Sequence, residues 1–337
     1  MSEAVYKLNL PPETFVRVAH GDMQDFVAAV ARAAGLVADR AALLGELLTS
    51  NDLRGVFSHG TRQVCRYARM MRDGELNVNP DVRVLKESPT SVVMDGDGGL
   101  GYFPMYEGTL RAIEKANTLG VAVLQTRNHG HIGAAGIYAR MPVEHMMGAF
   151  VTGGGTLNLQ PGQPVYTPAI GSPVSISAPA GREPPIVVDF APVYDLRISP
   201  RWPELAEWIP GTIFRCIGLG MIAQSWGGIM AGTGSSEVRE HRRRYRATGQ
   251  CGFAFMFQVG LFTDPDEYGR EMDALVARLR ELAPLEGFEQ ASYAGGIEGE
   301  REVEFRAHGI PVGPEHRRDL EDIAAELGVD VPWGRGR

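Results

Sequence analysis

Ser91-Val-Val-Met-Asp-Gly-Asp-Gly-Gly-Leu-Gly101 is an apolar run of strand length that ends in a cluster of glycines. How this stretch is read decides the fold. Gly96 to Gly101 fits the G-x-G-x-x-G spacing, follows a strand pattern and precedes a helical one, the setting in which glycines let a pyrophosphate approach a helix N-terminus. Such a unit also needs an acidic residue at the tip of the next strand to hold a ribose. Here that strand ends in Thr126-Arg127-Asn128. Arg127 keeps a 2′-phosphate contact open, but glycine clusters commonly mark turns, and a turn reversing the chain after Asp95 is the favoured reading.

Outward from this point the period of the apolar residues changes. Met23, Phe26, Val27 and Val30, and then Leu43, Leu44, Leu47 and Leu48, recur at helical spacing, so the first seventy residues read as a small helical unit. After Gly74 short runs of strand length follow at Val82 to Leu85, Ser91 to Asp95, Val121 to Gln125, Met147 to Thr152 and Ile186 to Phe190, with a helical stretch around Leu110 to Ala116. Alternating strands and helices predict an α/β or mixed α+β sheet. Gly153 to Pro185 is rich in Gly and Pro without periodicity and reads as one long irregular loop. Helical patterns at Phe214 to Met230 and Tyr268 to Leu282 precede a polar, glycine-containing stretch and a last helix, Arg317 to Leu327.

The chain has 337 residues, 44% of them hydrophobic, and a formal charge of -8, enough for a large core in two or three domains. It has no apolar run of membrane-spanning length, and Met1 to Pro12 lacks the basic start and apolar stretch of a secretory signal, so no membrane association and a cytoplasmic location are expected. Cys65, Cys216 and Cys251 form no C-x-x-C pair and are expected as reduced thiols rather than a disulfide framework or a structural zinc site. The acidic balance disfavours nucleic acid as a partner. The basic run His241 to Arg246, offset by Glu237 and Glu240, reads as a solvated helix end or loop.

Chemistry concentrates in two histidine-bearing, glycine-flanked segments: Arg54-Gly-Val-Phe-Ser-His-Gly-Thr-Arg-Gln-Val-Cys-Arg-Tyr67 and Arg127-Asn-His-Gly-His-Ile-Gly-Ala-Ala-Gly136. Together they suggest one acid/base site, because an imidazole titrates near neutrality and can give or take a proton. His131 is the first candidate, since it follows a strand and Gly130 and Gly133 leave room beside it. Ser58 and His59 can hold a polar substrate atom while Arg62 or Arg66 supplies a fork for a carboxylate. His129-Gly-His131 also has the outline of a metal half-site, but only His59 or Asp189 is at hand as a further ligand, so no metal is expected.

Ser58-His-Gly60, Arg66-Tyr67, Gly74-Glu-Leu-Asn77, Met94 to Gly101, Asn128 to Gly136 and Val188-Asp-Phe-Ala191 resemble the type 2 malate/L-lactate dehydrogenases. That family includes sulfolactate and ureidoglycolate dehydrogenases, diketogulonate reductase and cyclic imino-acid reductases. The likeness runs from about Asp22 to Val329 and is most specific in the first 140 residues. It implies a homodimeric oxidoreductase using NAD or NADP, with a non-Rossmann mixed sheet and a helical N-terminal unit, in which Gly96 to Gly101 is a turn. The expected division is residues 1–75 joined by a C-terminal helix in 310–337, a small sheet domain of 76–120 and 285–309, and a cofactor-type domain of 121–284. The resemblance places His131 on the family's acid/base histidine and Ser58 with His59 on its substrate pair. Arg62, Arg66 and Thr152 are the further substrate-side candidates. Asp189, Phe190 and Ala191 fall on a cofactor-contacting strand end, Arg215 with Cys216 on the family's Lys-Gly contact, and Ser172 in the shortened counterpart of its Gly-Thr-Asn-Pro. Hydride then passes between the nicotinamide and C2 of a small 2-oxo, 2-hydroxy or cyclic 2-imino carboxylate, while His131 moves the proton.

Departures from the family pattern cluster around one pocket. Gln63 stands where the family carries its substrate arginine, with Arg62 one position away; Gly171-Ser-Pro173 is one residue short; Arg215 replaces the lysine; and the chain between Asp189 and Arg215 is shorter than usual. An alternative therefore keeps the fold and uses His131 and His59 for non-redox chemistry, as an isomerase, lyase or hydrolase. A binding protein without catalysis is the third possibility.

Overall fold

The computed structural model describes residues 9–194, 201–286 and 289–333. Residues 1–8 and 334–337 of the expected helical unit, 195–200 between Asp189 and Arg215, and 287–288 of the expected 285–309 segment lie outside the described residues. Along the chain, β1 (Val16–Val18) is followed by α1 (His20–Ala33), α2 (Ala38–Leu53) and α3 (Gln63–Arg72). Then come β2 (Arg83–Ser88), β3 (Ser91–Asp95), α4 (Tyr102–Leu119), β4 (Val121–His129), α5 (Gly136–Arg140) and β5 (Met147–Gly155). β6 (Val174–Ala178), β7 (Ile186–Phe190), α6 (Trp202–Trp208), α7 (Pro210–Gly227) and α8 (Ser236–Arg244) precede β8 (Gln250–Gln258) and α9 (Pro265–Arg280). The chain closes with α10 (Gly296–His308), β9 (Ile310–Val312) and α11 (Pro314–Leu327).

Two compact units result, one formed by residues 81–295 and the other by the segments on either side. Compactness therefore does not follow the three-part division expected from the sequence. One sheet draws strands from both 76–120 and 121–284, and α10 joins the helical unit instead of the sheet. Among the described residues no single helix is long and apolar enough to cross a membrane.

In the helical unit α1 packs on α2; Met23, Phe26, Val27 and Val30 of α1 and Leu44, Leu47 and Leu48 of α2 are buried, while Leu43, the remaining residue of the second stripe, is half-buried. β1 and β9 pair antiparallel, tying the start of the chain to its end. α10 went unrecognised because it buries only Gly296 and Phe305 among polar residues. Its Phe305 ring lies 6.3 Å from Phe57, and its Glu302 pairs with Arg54 of the α2 C-cap at 2.5 Å.

The other unit is built on a seven-stranded sheet in the order β2-β3-β4-β8-β5-β6-β7. Only β3 and β4 run parallel; every other neighbouring pair is antiparallel, so the sheet is mixed as expected. A parallel pair needs a crossover, and α4 provides it, burying Tyr102, Phe103, Met105, Thr109, Ala112, Ile113 and Ala116 at helical spacing. Gly120, at φ +84°, ends α4 in the left-handed region that glycine adopts without strain.

Two strands are corrections to the sequence reading. β8, the central strand, is a nearly continuous apolar run, Cys251 to Phe257, without alternation, because both faces are covered. β6 lies within the stretch expected as loop, and its pattern is inverted. Ser175 and Ser177 face inward, donating to Val188 O and Ala139 O at 2.9 and 2.7 Å, while Ile176 faces out. Beyond β5, the chain from 166 to 170 packs on α7 around Ala169, Val193, Ile213 and Ile217.

The crossing of α7 over the end of β5 is glycine on glycine. A Cβ on Gly227 would stand 2.5 Å from Gly153 C, whereas one on Gly218 would meet nothing within 4 Å. Gly227→Ala should therefore cost about 1–3 kcal/mol of stability through overpacking, read as a lower urea midpoint. Gly218→Ala, in the same helix, should leave stability unchanged or add about 0.5–1 kcal/mol through helix propensity, with an equal or higher midpoint. Equal midpoints for the two variants would refute the close-approach argument.

Candidate active site

The turn after β3 and the turn after β4 are laced together by backbone hydrogen bonds. Gly96 N–H donates to Arg127 O at 2.9 Å, Gly98 N–H to Asn128 O at 2.8 Å, Gly101 N–H to His131 O at 3.0 Å, and Gly130 N–H to Gly99 O at 2.8 Å. The amides that a pyrophosphate would need are thus already engaged, so Gly96 to Gly101 is a turn and not a phosphate cradle. Arg127, the candidate for a 2′-phosphate, approaches Asp95 at 3.5 Å and pairs with Glu237 at 2.7 Å.

Sequence reasoning passed over Asp95 and Asn128. Asp95 is 2% exposed, and its Oδ2 accepts from Asn128 Nδ2 at 2.7 Å while its Oδ1 accepts from Asp97 N–H at 2.9 Å. Asn128 has φ +56° and Asp97 φ +45°, conformations that cost an L residue about 1–2 kcal/mol each unless local bonds compensate. The bonds just named supply that compensation. An inward aspartate ending a strand before glycine, with asparagine ending the next strand, is the signal that was available.

His129 is wholly buried, its Nδ1 2.8 Å from Gly130 O and its Nε2 2.7 Å from Thr126 Oγ1. A carbonyl only accepts, so Nδ1 carries the proton and Nε2 accepts from the threonine hydroxyl. Burial lowers its pKa to about 4. A neutral imidazole with both nitrogens engaged is a structural residue, which removes the His129/His131 metal half-site. Among the described residues no cluster of His, Cys, Asp and Glu can hold a metal. His131 is half-buried and stands two residues before Gly133, whose φ of +76° lets Tyr102 pack against it. At the far side of this turn Gly136 N–H donates to Asp189 Oδ2 at 2.8 Å, so the structure brings the end of β7 to the helix that follows His131.

The other candidates of this unit divide. Asp189 is exposed, and Phe190 and Ala191 are half-buried at the strand end. Arg215 is exposed on α7 beside half-buried Cys216. Thr152 is fully buried and donates to Pro173 O at 2.6 Å. Ser172 is also fully buried, its hydroxyl 3.3 Å from Gln224 Oε1. Both hydroxyls are thus engaged inside the fold, Thr152 with a carbonyl and Ser172 beside an amide.

In the helical unit the Ser58-His59 turn is held from beneath by side chains. Asn51 Nδ2 donates to His59 O at 2.9 Å and Gln63 Nε2 to Ser58 O at 2.7 Å. Ser58 Oγ lies 2.9 Å from His59 Nδ1, and burial lowers the His59 pKa. Gln63 therefore serves the turn itself. Arg62 bonds to Asp319 and lies 3.8 Å from Glu315, so its fork is taken by α11. Arg66 is exposed and forms no ion pair among the described residues.

A mixed sheet with one parallel pair, a covering helical crossover and histidine turns at strand and helix ends defines a scaffold distinct from doubly wound dinucleotide-binding folds. The chain belongs to the malate/L-lactate dehydrogenase family, whose model matches residues 18–193. It is thus a member of an oxidoreductase family. It is 27% identical to a malate dehydrogenase of Pyrococcus abyssi, over 94% of this chain and 96% of that protein. It is 26% identical to an L-sulfolactate dehydrogenase of Methanocaldococcus jannaschii, over 88% and 93%. The solved malate dehydrogenase of Pyrococcus horikoshii OT3 superposes with a TM-score of 0.79, at 24% identity, covering 95% of this chain and 98% of that one, a likeness of fold.

Because the folded pKa of His129 lies below its ordinary 6.5, the unfolded chain binds the proton first as the pH falls. The stabilisation is present above pH 6.5 and is lost toward pH 4. His129→Gln, which does not titrate, should remove up to about 3 kcal/mol of the wild type's acid-induced loss of stability over that window. Denaturant melts across that pH range check this, and an acid slope equal to the wild type's would show that His129 is not the group responsible.

Proposed function

We propose that this protein is a nicotinamide-dependent oxidoreductase acting at C2 of a small 2-oxo, 2-hydroxy or cyclic 2-imino carboxylic acid, with His131 as acid/base. The observation that carries the reading is the division of labour in the His129-Gly-His131 motif. His129 spends both ring nitrogens inside the fold, and His131 stands half-buried on a turn that two laced backbones hold in place. Names of the relatives, malate and L-sulfolactate dehydrogenases, support an acidic 2-hydroxy compound as substrate.

The residues at the end of β7 suit a cofactor in part. Asp189, Phe190 and Ala191 offer a carboxylate, a ring and a small residue beside the His131 turn, and Arg215 offers an exposed cation on α7. Either NAD or NADP would supply the hydride acceptor or donor. His131 takes the hydroxyl proton as the substrate is oxidised and returns it on reduction. Ser58 and His59 serve the substrate oxygen, and burial lowers the His59 pKa. With Arg62 committed to Asp319, Arg66 is the guanidinium of this segment left to meet a carboxylate. The burial of Ser172 favours a second reading, in which an altered pocket no longer takes a nicotinamide and the histidines serve an isomerase, lyase or hydrolase.

Melting with NADH and with NADPH separates the two readings, since a ligand at a hundred times its dissociation constant adds about 2.7 kcal/mol. The redox reading expects a rise with one of them. It also expects His131→Ala to abolish L-malate oxidation with folding intact, and His59→Ala to weaken substrate more than cofactor. No shift with either nucleotide would favour the second reading, and retained activity in His131→Ala with loss in His59→Ala would move the proton to His59.

The reading includes a cytoplasmic homodimer. The three cysteines are free thiols, as a reducing compartment maintains them. Trp208, Phe214, Ile222, Ile229 and Met230 are 48–65% exposed on and around α6 and α7, an apolar surface of the kind that a second copy covers. Sedimentation equilibrium should give twice the chain mass, and Phe214→Glu should halve it; a wild-type monomer would contradict the assignment.

A further inference from the structure

We propose that Asp52 is a positioning residue of the reaction, setting the Ser58-His59 turn through Thr61 and coupling its own protonation to the placement of the His59 imidazole. The proposal rests on the reading that His59 works on the substrate. Asp52 is completely buried at the C-terminal end of α2, directly under the turn. Its Oδ2 accepts from the Thr61 hydroxyl at 2.5 Å and from Thr61 N–H at 3.2 Å. The Thr61 hydroxyl has one proton, which goes to the carboxylate, so His316 Nε2, 3.0 Å from Thr61 Oγ1, donates to it. A directed chain results, from His316 through Thr61 to Asp52.

Asp52 Oδ1 has no hydrogen-bond partner and lies against Gly60, where a Cβ would come within 1.6 Å of it. Only glycine fits between His59 and Thr61 because the carboxyl fills that space. An ionised oxygen with no donor inside the fold is costly, and burial outweighs the two Thr61 bonds, pushing the Asp52 pKa up to about 7. The ionisable groups on the surrounding elements are His59 and Arg62 on the turn and the start of α3, His316 and Asp319 on α11, Arg54 of the α2 C-cap, and Arg301 and Glu302 on α10. Arg62 pairs with Asp319, and Arg54 with Glu302. Burial also lowers the His316 pKa, to about 4, so it enters the chain as a neutral donor. None of these groups forms an ion pair with Asp52 among the described residues, so its proton is the charge control under the turn. As pH rises and that proton leaves, an unpaired negative oxygen faces Gly60, and the turn must shift to admit water or a donor.

The test uses the full chain with 13C-labelled histidine rings, the His59 signal being the one that His59→Gln removes. Its pH titration should show, besides its own inflection at lower pH, a second one that tracks Asp52. Asp52→Asn keeps the shape and an oxygen for Thr61 but holds no titrating proton, so the second inflection should vanish. Thr61→Val cuts the hydroxyl link in a side chain of the same shape, should have the same effect, and carries the test if Asp52→Asn does not fold. Survival of that inflection in both variants would overturn the proposal. In L-malate oxidation with the nucleotide that raises the melting point, the substrate KM of wild type relative to Asp52→Asn should rise several-fold from pH 6 to pH 8.5, with kcat little changed. An unchanged substrate KM in His59→Ala would sink the functional reading alone. A raised substrate KM in His59→Ala beside an Asp52→Asn enzyme with the wild-type pH profile and wild-type His59 titration would sink the Asp52 proposal alone.

Discussion

The lacing of two turns, Gly96 to Gly101 against Arg127 to His131, is the constraint on which the sheet unit depends. Four backbone hydrogen bonds join them, and the buried Asp95 carboxylate bridges them through Asn128. Backbone groups shut away from water must find partners, and here they find them in each other. This holds Asp97 and Asn128 in left-handed conformations, continues the parallel β3–β4 pair beyond the last paired residues, and places His131 on a rigid support. It also occupies the glycine amides, so the motif that looks most like a dinucleotide fingerprint cannot act as one.

The second histidine turn is supported by different means. Around Ser58 and His59 the partners are side chains, Asn51, Gln63 and the Asp52–Thr61 pair. In the first turn the buried Asp95 carboxylate has a donor on each oxygen, whereas under the second the Asp52 carboxyl has one oxygen with none. The two turns therefore differ in what perturbs them, although both present an imidazole after a short glycine-bounded bend. The Gln63 amide folds back to brace its own turn.

Much of the architecture was legible in the sequence. Helical stripes in α1, α2 and α4 and the strand runs of β3 and β7 follow from local periodicity, because a single amphipathic face is written in neighbouring residues. β8 escaped because the central strand of a sheet is covered on both sides and loses its alternation. β6 escaped because its inward residues are serines whose hydroxyls find carbonyls on β7 and α5. α10 escaped because little of it is buried. The family motif marked two histidine segments, but the partners of Ser172 and Thr152, Gln224 and the Pro173 carbonyl, lie far along the chain and could not be read from it.

By itself the sequence determined the class of fold, the turn character of the glycine cluster once the ribose acid was missing, and the two histidine segments, since each depends on residues close together along the chain. Only the tertiary structure decided which histidine of His129-Gly-His131 is spent in the core, which arginine is taken by α11, and that a carboxyl from α2 lies sealed under Gly60. Those outcomes turn on burial and on partners up to 257 residues away, and the ionisation of a side chain is set by what surrounds it in space.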